Sequence, residues 1–60
     1  MDDEFEAYEA GRQDGLDGRR DAARAGHAAL GRDYRIGFID GRLEVYRLLA
    51  DVRKIVENGE

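Results

Sequence analysis

The sequence predicts an all-α protein, an antiparallel two-helix hairpin that homodimerises into a four-helix arrangement. Three observations predict it. The 60-residue chain contains no Pro, Cys, Ser or Thr, so the commonest turn formers are missing. Residues 34–56 carry apolar side chains at the 3,4 spacing of a helix. Starting from Tyr8, the same spacing runs through Gly11, Gly15, Gly18, Ala22, Ala25 and Ala29, a stripe of very small residues.

The first helix is expected over about residues 3–29. Asp2, Asp3 and Glu4 open it, where negative charge meets the positive end of the helix dipole. The small stripe lets another helix approach closely enough for bulky side chains to sit on backbone. Each interior Gly costs about 1 kcal/mol of helix stability relative to Ala, so this half is expected to fold only when docked on the second half. Asp14-Gly15 and Asp17-Gly18 are also turn dipeptides, but no alternating apolar strands flank them.

Gly26 and Gly31 offer two breaks. Gly31 is the preferred one, with a turn at about residues 30–33 and Asp33 as N-cap of the second helix. That helix is expected over about residues 34–57, with Arg53 and Lys54 at its negative end and Asn58-Gly59 as the stop. A short connection makes the two helices antiparallel neighbours within a single domain, 1–60.

The second helix has two apolar faces. Ile36, Ile39, Leu43 and Tyr46 are assigned to packing within the chain, against Tyr8, Gly11, Gly15, Gly18, Ala22, Ala25 and Ala29. Phe38, Gly41, Val45, Leu48, Val52 and Ile55, with Leu49 and Val56 beside them, are left uncovered and assigned to a second copy.

Composition narrows the function. The net charge of -4 comes from plentiful but mixed charges, so broad attraction to DNA is not expected. Without Ser, Thr or Cys, only tyrosine phenols remain as hydroxyl nucleophiles. One His, His27, cannot build a zinc centre alone. The pairs Asp14 with Asp17 and Asp40 with Glu44 have acid/base spacing but no pocket to tune them. The expectation is therefore a protein that is not an enzyme, with no cofactor, no metal and no small-molecule substrate. No apolar run reaches the roughly 18 residues of a membrane span, and the acidic start is unlike a leader, so a cytoplasmic location without membrane contact is expected.

The sharpest local signal is an echo: Tyr8, Gly11, Asp14 and Gly15 recur as Tyr34, Gly37, Asp40 and Gly41. It reads as a packing motif for close helix contact, or as a duplicated recognition element. Arg12, Arg19, Arg20, Arg24, Arg32 and Arg35 make the middle of the chain locally basic. Of these, Arg12, Arg19, Arg20, Arg24 and Arg35, together with Tyr34, are candidate partner-binding residues, the arginines for phosphate and the tyrosine for stacking. Interleaved Asp14, Asp17, Asp21 and Asp33 favour a solvated face of intrahelical ion pairs instead.

The stretches Ala7-Tyr8-Glu9-Ala10-Gly11, followed by Gly15, Gly18 and Arg19, and Tyr34-Arg35-Ile36-Gly37-Phe38, followed by Gly41 and Arg42, resemble the ribosome modulation factor family. These are small bacterial proteins that associate with ribosomes in stationary phase. The resemblance spans about the middle two-thirds of the chain, which lacks the Cys-Pro common in the family's linker and is acidic. It implies a ribosome-associated, hibernation-like factor that binds ribosomal RNA or protein. The residues themselves point first to a homodimeric regulator or inhibitor that binds a larger protein target.

Overall fold

The computed structural model describes residues 2–59, and these are all-helical: α1 (Asp3–Asp17), a single turn α2 (Ala22–Ala25) and the long α3 (Gly31–Asn58). α1 begins where the acidic opening places it. Asp2 is the N-cap, its carboxylate accepting from the backbone N–H of Glu4 at 3.1 Å and Phe5 at 3.2 Å.

α1 does not continue to residue 29. Gly18 takes φ 72°, a left-handed conformation. The N–H of Arg19 then bonds the carbonyl of Asp14 at 2.9 Å, and that of Gly18 bonds Gly15 at 3.3 Å. This pair of bonds is a Schellman stop, and it uses Asp17-Gly18 as the helix end that the small stripe had run through. A new start follows quickly. Asp21 caps α2, accepting from the N–H of Arg24 at 3.1 Å.

α3 starts at Gly31, two residues before the expected cap. Asp33 lies inside its first turn, and Leu30 stands at the cap without a side-chain bond. The capping work is done by His27, whose Nδ1 accepts from the N–H of Ala29 at 3.2 Å and of Leu30 at 3.1 Å. At the other end α3 runs to Asn58, one residue past the expected limit.

The long connection also changes the direction of packing. Gly11 lies against the backbone of Tyr34 and Phe38, Gly15 against Phe38, Gly41 and Arg42, and Leu16 against Gly41. Advancing along α1 advances along α3, so the two helices run parallel and the antiparallel hairpin is not formed. The hairpin expectation rested on a tight turn. With α1 stopped at Gly18, residues 18–30 are free to travel back beside the helices and start α3 level with the start of α1.

The core is small. Tyr34 is 1% exposed, Ala25 is 2% exposed, and the remaining buried positions among the described residues are Gly11, Gly15, Gly31, Gly37 and Gly41. α1 ends near the level of Arg42, so the rest of α3 extends beyond it. No helix among the described residues is long and apolar enough to cross a membrane.

Candidate interaction surfaces

The echo in the sequence is the contact between α1 and α3. A Cβ placed on Gly11 would collide with the carbonyl of Tyr34 and the N of Phe38; one on Gly37 would collide with the carbonyl of Tyr8 and the N of Arg12. A Cβ on Gly15 meets Phe38 and Arg42; one on Gly41 meets Arg12 and Leu16. Each contact of one copy has its counterpart in the other, which is a local two-fold relation running along the helix pair. The polar members obey it too. The Tyr8 hydroxyl donates to Asp40 Oδ2 at 2.5 Å, and the Tyr34 hydroxyl donates to Asp14 Oδ2 at 2.6 Å.

The two-fold is broken by what covers each pair. The connection after α1 reaches Tyr34, whose hydroxyl also accepts from the N–H of Asp21 at 2.8 Å. Burial, and then the bond to the Asp14 carboxylate, raises the Tyr34 phenol pKa above its ordinary value. Tyr8 stays in solvent contact, and there the bond to Asp40 is the main cause of a raised pKa. Around this contact, Arg12 forms a forked pair with Glu44 at 2.9 and 3.0 Å. Arg42 donates to the Gly15 carbonyl at 3.1 Å and lies 5.3 Å from the centre of the Tyr46 ring.

Several assignments made from spacing change. Gly41 faces α1 of its own chain and is not available to a second copy, while Phe38 meets α1 through its backbone and keeps a half-buried side chain. Val45 is half-buried, and Leu48, Leu49, Val52, Ile55 and Val56 are exposed. Ile36, Ile39, Leu43 and Tyr46, expected to fill the groove of the chain itself, are exposed instead, Ile39 by 56% and Leu43 by 53%. Glycine meets glycine and backbone across the helix contact, which leaves no room for large side chains there. In the small stripe, Tyr8, Gly11 and Gly15 pack as expected and Ala25 is buried, but Gly18 ends the helix and Ala22 and Ala29 are exposed.

The candidate partner-binding residues also divide. Tyr34 is buried and cannot stack on a base; Arg12 is committed to Glu44, Arg24 to Asp21 at 3.6 Å, and Arg35 donates to the Ala25 carbonyl. Arg19 and Arg20 are exposed and, among the described residues, form no salt bridge. Arg42 and the crossed Tyr–Asp pairs were missed, although a Tyr six residues before an Asp in both copies of the echo was a visible signal.

A cleft of about 280 Å³ opens between the starts of α1 and α3, lined by Asp3, Glu6, Ala7, Arg24, His27, Leu30 and Tyr34. Its His27 already uses Nδ1 as a backbone acceptor. Among the described residues, no group of three or more His, Cys, Asp or Glu side chains is placed to hold a metal ion.

The surface that remains is apolar and belongs to α3. At 100° per residue, Leu48, Val52 and Ile55 continue the line of Gly41 past the end of α1, forming a ledge. Ile36, Ile39, Leu43, Tyr46 and Ala50 form a second stripe on the side of α3 away from α1. Comparison with family models, with curated proteins and with solved structures gives no match.

Proposed function

We propose that the protein is a non-catalytic helical interaction module that self-associates through α3 and binds a larger macromolecule as a regulator or inhibitor. One observation carries this reading: among the described residues ten large apolar side chains are exposed, and nine of them lie on α3. Contiguous apolar surface of that kind marks an association site. Size-exclusion chromatography with light scattering tests it. A stable, well-folded monomer refutes self-association. Leu48→Asp places a charge in the ledge, and an unchanged mass, melting temperature and target binding would remove the ledge from the reading.

A second reading, association with ribosomes, draws on the resemblance of the two aromatic-glycine stretches and on the exposed Arg19 and Arg20. Cosedimentation with ribosomes on a sucrose gradient at low salt tests it, since phosphate contacts are strongest there. Absence of comigration removes it.

A further inference from the structure

We infer that the second copy docks antiparallel on the stripe formed by Ile36, Ile39, Leu43, Tyr46 and Ala50, not on the ledge. The inference rests on the self-association reading above and names the face, the direction and the register. The stripe lies on the side of α3 opposite the glycine contact, so α1 does not stand in the way. The ledge, in contrast, lies on the same side as α1, where α1 blocks a partner from running the full length of α3.

The register follows from matching the apolar residues in alternating layers, as antiparallel helices do. Leu43 sits against Tyr46 of the second copy, Ile39 against Ala50, and Ile36 against the aliphatic stem of Arg53. The same register brings Gly31 level with Asn58 of the second copy, so the two α3 helices overlap from end to end. The three layers Leu43–Tyr46, Ile39–Ala50 and Ile36–Arg53 are centred between residues 44 and 45, which is also the midpoint of α3.

Asp40 and Arg47 flank the stripe on one edge, two turns apart, and on that edge charge favours the antiparallel direction. In the antiparallel register Asp40 of each copy lies beside Arg47 of the other, twice over. Tyr8 holds Asp40 by Oδ2, leaving Oδ1 for the arginine. Among the described residues Arg47 takes part in no salt bridge. Parallel pairing would instead set Arg42 against Arg47, and its one attractive contact, Arg35 with Asp40, needs a guanidinium that the Ala25 carbonyl already holds. On the opposite edge, Leu49 and Val56 of the second copy fall along the depression lined by Arg20, Arg35, Phe38 and Ile39.

The test is the spin-label distance in the full chain carrying Glu57→Cys, after light scattering has fixed its mass. The expected separation is about 40 Å, because position 57 lies far from its symmetry mate when the helices overlap completely at 1.5 Å per residue. A dimer with about 10–15 Å indicates parallel packing, and one with about 20–25 Å indicates antiparallel packing on the ledge; either overturns this inference while leaving self-association standing. A monomer overturns both. An independent arm uses charge, in a Tyr8→Phe background so that loss of the Tyr8–Asp40 bond does not enter. There Arg47→Glu is expected to weaken the dimer by roughly tenfold or more, and adding Asp40→Lys to restore it. An unchanged dissociation constant for Arg47→Glu overturns the pairing.

Discussion

Replacing Gly37 by Ala tests the reading that backbone contact between α1 and α3 holds this fold. Usually such a change inside a helix helps, by about 1 kcal/mol. Here the added methyl would overlap the Tyr8 carbonyl and lie 2.9 Å from the N of Arg12. Both obstacles are backbone, so no side-chain rotation relieves them and the helices must separate. Overpacking of this kind costs about 1–3 kcal/mol, and separation also loosens the matched contacts at Gly11, Gly15 and Gly41. The expected net destabilisation is about 2 kcal/mol, a drop of about 10 °C in the melting temperature of a domain this small. Thermal denaturation followed by circular dichroism, at fixed protein concentration, reads it. Gly11→Ala should cost a similar amount, because its neighbours are the two-fold counterparts of those at Gly37. The double variant should cost less than the sum, since helices already separated admit the second methyl more easily. Gly26→Ala is the control: its nearest obstacle is the Ala22 carbonyl at 3.4 Å, an ordinary contact, and it should be neutral or slightly stabilising. A Gly37→Ala variant that melts at or above the parent temperature refutes the reasoning.

Tyr34→Phe should destabilise by about 1–2 kcal/mol, because the lost hydroxyl serves both Asp14 and the N–H of Asp21 in a part-buried setting. Tyr8→Phe, at an exposed bond, should cost about half as much or less by the same denaturation assay. Gly18→Ala should cost about 1 kcal/mol, since φ 72° forces a Cβ into left-handed backbone; a neutral result would mean that α1 ends some other way. Alkaline pH should unfold the protein through Tyr34. Its folded pKa is raised above the ordinary 10.0, so the stability it contributes is full below about pH 10 and is lost as pH rises from there through the folded pKa. The melting temperature should fall over that window, and Tyr34→Phe should flatten the slope.

The all-helical class was legible from the missing turn residues and the 3,4 spacing, and so was the acidic start of α1, though not that Asp2 caps it. The echo was legible as a packing motif, because Tyr8, Gly11, Asp14 and Gly15 could be aligned with Tyr34, Gly37, Asp40 and Gly41 by eye. Its consequence was not. A small stripe can receive large knobs or another small stripe, and spacing alone does not distinguish the two. The structure pairs glycine with glycine, which turns Ile36, Ile39, Leu43 and Tyr46 outward. The second miss has the same root in local chemistry. Gly18 fits both as a stripe member and as a left-handed stop after Asp17, and the periodic reading concealed the stop. Once α1 ends there, the connection is long, and the antiparallel arrangement loses the short turn it depended on.

A glycine-based contact has a consequence for how the molecule must fold. It brings backbones together but buries little apolar area, and among the described residues Tyr34 and Ala25 are the buried hydrophobic side chains. The apolar side chains that would drive folding sit instead on the outer faces of α3. Beyond Val45 that helix is exposed throughout, and an isolated segment of about 12–15 residues is only marginally helical in water. Helicity of the second half of α3 is therefore expected to depend on association. Diluting the protein through its dimer dissociation constant should lower the mean helical signal and the melting temperature together, as mass action requires when assembly stabilises the folded state. Arg47→Glu should shift that transition to higher concentration without altering its end states. A helical signal and melting temperature that stay constant across dilution, in a sample shown by light scattering to pass from dimer to monomer, would mean that α3 holds itself and that the apolar faces serve only a different partner.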